Sequence, residues 1–173
     1  MSPDRRHILA LLALAPLAGC GFEPLYGSAA AGSELRNRIR VTNIEGREGF
    51  FLRERLLRRF GTPAEDAPLI LDVELTTSTQ GLAITQDADI TRINLRGEAV
   101  YSLRASGNPE VLLTDRLIGN AGYSAPASTE DQEPIASPLA ARVAEEDARQ
   151  RVAEYLAEQI ADRVLIAAEQ FEI

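Results

Sequence analysis

The chain has 173 residues, a formal net charge of −8 and 45% apolar residues, the composition of a globular protein with one core of ordinary size. Its single cysteine, Cys20, and single histidine, His7, both lie near the N-terminus. The body is therefore left without a disulfide, a thiolate nucleophile, a Ser-His-Asp triad or a histidine-bound zinc. The acidic balance also argues against nucleic acid as a partner.

All eighteen basic residues are arginine and they are unevenly placed, with a net charge of +3 over residues 20–60 and −12 over residues 61–173. This asymmetry predicts a basic face near the N-terminal third of an otherwise acidic body.

Residues 1–19 have the layout of a signal peptide. Arg5 and Arg6 form the charged start, Ile8 to Leu17 the apolar middle, and Ala18-Gly19 the small residues before a cleavage point. The apolar run is about ten residues, half of what a bilayer-spanning helix needs. Leu17-Ala18-Gly19-Cys20 matches the lipobox pattern, so cleavage before Cys20 and attachment of diacylglycerol to its thiol are expected. Arg5-Arg6-His7 also resembles a twin-arginine signal, which leaves the export route open. Residues 20–33, rich in Gly, Ala and Ser, read as a lipidated tether, and residues 34–173 as a single globular domain.

Within that domain, Ile39 and Val41 alternate with arginines over 36–44, which predicts a strand broken by Gly46. Glu48 to Phe60 places Phe51 or Leu52, Leu56, Leu57 and Phe60 at helical spacing, with Gly61 as the C-terminal stop. Pro63 to Pro68 is a loop. Leu69, Leu71, Val73 and Leu75 then alternate with polar residues, as do Ile93, Leu95, Ala99, Tyr101 and Leu103, giving two half-buried strands. After the turn Ser106-Gly107-Asn108-Pro109, Val111 to Tyr123 returns as a third strand whose register Asp115 and Gly119 blur. Ser137-Pro138 opens a long amphipathic helix carrying Leu139, Val143, Ala148, Val152, Leu156, Ile160, Val164 and Ala167. The expected fold is α+β, a two-layer sandwich in the order β-α-β-β-β-α. Two helices pack on one face of a four-stranded mixed sheet, and a polar second face is left for solvent or a partner.

For catalysis the paired carboxylates are Asp87-Ala88-Asp89, Glu130-Asp131 and Glu145-Glu146-Asp147, for which solvated surface charge is the ordinary explanation. No Gly-rich phosphate loop is present, and neither an enzymatic role nor a cofactor or metal is expected. The basic set Arg36, Arg38, Arg40, Arg47, Arg53, Arg55, Arg58 and Arg59 has two readings: guanidinium recognition of phosphate, or the solvated side of a strand and helix. Gln80 to Asp89 is either a contact surface or a simple extension of two strands into a longer hairpin.

Gly19-Cys20-Gly21-Phe22-Glu23-Pro24-Leu25-Tyr26-Gly27 resembles the mature N-terminus of the LPS-assembly lipoprotein family, LptE, and the element order agrees with that family's two-layer fold. Arg92, in Ile90-Thr91-Arg92-Ile93-Asn94-Leu95, looks like the arginine that family members carry after the middle hairpin. The resemblance implies a non-catalytic outer-membrane lipoprotein on the periplasmic side. It would plug and help assemble an LptD-type β-barrel that inserts lipopolysaccharide into the outer leaflet. Contacts to lipopolysaccharide or partner would fall on Arg53, Arg55, Arg58, Arg59 and Arg92. Gly21 in place of an aspartate fits transport to the outer membrane. The competing reading is the auxiliary lipoprotein of a lipid-trafficking ABC transport system.

Overall fold

The computed structural model describes residues 35–84, 90–124 and 138–168. The signal peptide, Cys20, the tether and the opening motif lie outside them, as do Asp87-Ala88-Asp89, Glu130-Asp131 and Ser137. The elements are β1 (Ile39–Val41), α1 (Gly46–Phe60), β2 (Leu69–Ile84), β3 (Ile90–Ala105), β4 (Val111–Ser124) and α2 (Pro138–Ala168). The sheet order is β1-β2-β3-β4, with β1 parallel to β2 and the other pairs antiparallel. This is the expected mixed sheet in the expected order.

β1 is shorter than its alternation suggested. Asn37 takes a left-handed φ of 64° and donates its N–H to the Phe60 carbonyl at 2.7 Å, which ties the chain to the end of α1 before the strand begins. α1 ends as expected: Gly61, at φ 84°, caps the helix by donating its N–H to the Leu57 carbonyl at 2.8 Å. Its buried stripe is Gly49, Leu52, Leu56 and Phe60, so Leu52 rather than Phe51 is the fully buried member.

One sheet face carries Ile39, Val41, Leu69, Leu71, Val73, Leu95, Ala99, Tyr101 and Leu103, all buried. In α2, Ala148, Val152, Leu156, Ile160 and Val164 are buried, as their spacing required. Leu139 and Val143 are not. They are 70% and 57% exposed, so the first turns of α2 stand clear of the core. Asp115 and Gly119 do not disturb β4. Pairing with β3 runs unbroken from Leu113 to Ser124, and both residues face α2. Gln80 to Ile84 and Ile90 onward belong to β2 and β3, the longer-hairpin alternative.

Candidate functional site

α1 and α2 run side by side in the same direction, and arginines join them in order along their length. Arg47 pairs with Glu146 at 2.7 Å, Arg55 with Glu158, and Arg59 with Asp162 and, at 3.0 Å, with Glu158. From α2, Arg149 reaches back to Glu48 and holds Glu145 one turn away at 2.7 Å. Burial alone would raise the Glu48 carboxyl, but the Arg149 guanidinium bound to it outweighs this and holds it below the usual value. Part of the charge asymmetry of the sequence is thus an intramolecular complementarity, in which Arg47, Arg55 and Arg59 of the N-terminal third meet acids of α2.

This sorts the arginine set. Arg55 and Arg59 are engaged by α2. Arg53 is half-buried, its Nε shielded from solvent without a hydrogen-bond partner among the described residues. Arg58 is exposed, with no ion-pair partner among the described residues. The carboxylate run on α2 is likewise consumed by pairing: Glu145 with Arg149, Glu146 with Arg47, and Asp147 with Arg151.

Arg92 lies apart from α1, at the far end of β3. It lines a depression of about 320 Å³ with Tyr123, Ser124, Ala144, Asp147 and Arg151. Its guanidinium packs beside Gly122, where a Cβ would make only an ordinary van der Waals contact of 3.8 Å with the Arg92 Nε and Nη2. Arg151 is fixed by Asp147 at 2.7 Å and donates to the Gly122 carbonyl at 3.3 Å. Burial, and then the charge of Glu145, raises the Tyr123 phenol, with Arg149 opposing, so it remains a neutral donor. Two guanidiniums and one carboxylate leave a local excess of one positive charge, suited to an anionic group. The sequence does not announce Tyr123 and Arg151 as neighbours of Arg92. Only the four-residue spacing of Asp147 and Arg151 on α2 signals their mutual pair.

Among the described residues no group of acids, cysteines or histidines could hold a metal ion, and no helix is long and apolar enough to cross a membrane.

The architecture defines the class, a two-layer α+β domain shared with solved bacterial lipoproteins. A lipoprotein from Caulobacter crescentus CB15 superposes with a TM-score of 0.56 at 23% identity, covering 82% of this chain and 95% of that one. Rare lipoprotein B from Shewanella oneidensis gives 0.55 at 14% identity, covering 78% and 97%. A minor lipoprotein from Acinetobacter baumannii gives 0.55 at 17% identity, covering 76% and 93%. No curated protein matches the sequence. The model of the LptE family, described as lipopolysaccharide-assembly, matches residues 28–164, and the chain belongs to that family.

Proposed function

We propose that the chain is an outer-membrane lipoprotein, anchored through Cys20 on the periplasmic side, that plugs and helps assemble an LptD-type β-barrel and takes part in lipopolysaccharide insertion. The observation that carries this reading is the family match across residues 28–164, a family of lipopolysaccharide assembly. The sequence supports the anchor through Leu17-Ala18-Gly19-Cys20. The depression around Arg92 supports contact with an anionic group such as a lipopolysaccharide phosphate, and the exposed Arg58 and half-buried Arg53 are secondary contacts. Arg55 and Arg59 serve the helix pair first.

The test is to tag the C-terminus, extract outer membranes in mild detergent and identify what co-purifies. A stoichiometric barrel that survives high salt supports the plug reading, because only an extensive buried interface resists such washing. Recovery with an inner-membrane ATPase and permease supports the transport-auxiliary reading in its place. Cys20→Ser releases the chain from the membrane fraction if the anchor is as proposed. Arg92→Gln weakens lipopolysaccharide binding by roughly tenfold, the loss expected for one charge-assisted contact. Unchanged binding removes Arg92 from the site.

A further inference from the structure

The two edges of the sheet are finished differently. On the β4 edge the outward groups are partly used. The Arg116 N–H donates to the Asp115 Oδ1 at 2.7 Å, and the Gly122 carbonyl accepts from Arg151 at 3.3 Å. On the other edge β1 pairs with only Leu69, Ile70 and Leu71 of β2. There the Leu69 N–H donates to the Arg38 carbonyl at 3.2 Å, and the Leu71 carbonyl accepts the Thr42 N–H at 3.0 Å. Strand alternation then points the N–H and C=O groups of Val73, Leu75, Thr77 and Thr79 toward that same edge. None of these groups has an edge-side hydrogen-bond partner among the described residues.

Among the described residues the edge is left open where β1 ends at Val41 and Ile44 is buried in the core. A depression of about 360 Å³ remains between Asn43–Glu45 and Val73–Leu75. Its two sides differ in chemistry. Val73, Leu75 and Ile44 form the apolar side under the helices. Glu74 and Glu45 are exposed, with no ion-pair partner among the described residues. An unpaired strand edge is a standing invitation to strand addition.

We propose that the β2 edge from Val73 to Thr79 receives an extended strand from a protein partner. That strand is apolar where it faces Val73 and Leu75 and basic where it passes Glu74 and Glu45. Main-chain hydrogen bonds to four alternate residues supply affinity, and the alternate side chains supply selectivity. A second copy of this chain is a poor occupant, since edge-to-edge pairing would bring its own Glu74 and Glu45 against the same acids. The inference rests on the plug reading and deepens it, because the barrel partner supplies the strand.

The test is hydrogen exchange on the full chain, alone in detergent and co-purified with its barrel, comparing the amides of Val73, Leu75, Thr77 and Thr79 with those of Ile118 and Asn120 on β4. The expected result is rapid exchange at the four β2 amides in the isolated chain and slowing by tenfold or more in the complex, an order typical of a newly formed hydrogen bond. Glu74→Arg and Thr79→Pro, each checked for an unchanged circular dichroism spectrum, are expected to reduce the barrel retained at high salt, and Glu74→Arg alone is enough to decide if Thr79→Pro misfolds. A barrel that co-purifies while the β2 amides stay fast overturns the strand inference and leaves the plug reading intact. Slow β2 amides in the isolated chain also overturn it: the edge is then filled by another segment of this chain if the slowing is independent of concentration, or by a second copy if it is not. Absence of any barrel overturns the plug reading and this inference with it.

Discussion

The two faces of the sheet solve different problems. On the covered face, Gly97 and Gly119 sit opposite each other in β3 and β4, and their missing side chains make the trough in which Val152, Tyr155 and Leu156 of α2 lie. On the open face the cross-strand contacts are polar: Arg104 with Asp72, Arg116 with Glu98, and Asn94 with Asn120. Val100 and Ile118 stand exposed among them. Close fit on one face fixes the fold, and the other face is thereby free to carry contacts that stability does not dictate.

The largest effect expected from this contrast is at the trough. A Cβ at Gly97 would lie 2.3 Å from the Val152 Cγ1 and 3.1 Å from the Leu156 Cδ1, so Gly97→Val should cost about 3 kcal/mol in urea unfolding, the upper range for overpacking. Gly97→Ala should cost less, and adding Val152→Ala should recover part of that loss; strict additivity would mean that the trough is not what seats α2.

Next comes the junction of the helices. Arg149→Met should cost about 1–2 kcal/mol, since the pair with Glu48 is half-buried and charge-assisted. Because the fold holds the Glu48 carboxyl below its ordinary 4.5, its contribution is complete above that pH and disappears as pH falls through the lowered value. Stability curves of the wild type and Glu48→Gln should therefore converge at acid pH, and parallel curves would contradict the coupling.

A smaller and opposite change is expected at Tyr101, whose hydroxyl is buried without a hydrogen-bond partner among the described residues. Burial, and then the Asp115 charge, pushes its phenol to about 12, partly opposed by Arg163. Stability tied to the neutral phenol is complete below pH 10.0 and is lost as pH rises toward 12. Tyr101→Phe should gain about 1 kcal/mol by removing an unsatisfied donor and should flatten the alkaline limb; a net loss would reveal an unseen partner. The smallest effect belongs to the open face. Arg116→Gln should leave the unfolding midpoint unchanged, because an exposed pair is screened by water, and a clear loss would show that this face stabilises the fold as well.

Much of this was legible in the sequence because alternation and helical spacing report burial directly. Leu69 to Leu75 and Leu95 to Leu103 placed their strands, and Ala148 to Val164 their helix. What escaped was long-range. Gly119 read as an irregularity because the residues that need its bareness, Tyr155 and Leu156, lie more than thirty positions away. Arg55 and Arg59 read as a free basic face because nothing local shows that Glu158 and Asp162 lie alongside. The site at Arg92 was visible as one residue; its neighbours come from β4 and α2, which only the fold brings together.

The ion pairs between the helices have a consequence in time as well as space. Arg55 and Glu158 are separated by 103 positions, and Arg149 and Glu48 by 101. Contacts of such high sequence separation close late, after the loop entropy of nearly the whole domain has been overcome. α1 is made early and waits for α2, so a chain crossing a membrane N-terminus first would emerge with its first helix and the apolar side of its sheet uncovered until the last thirty or so residues arrived. A chaperone that recognises exposed apolar strands would have its window in that interval, and a truncation before Ala148 would never close it.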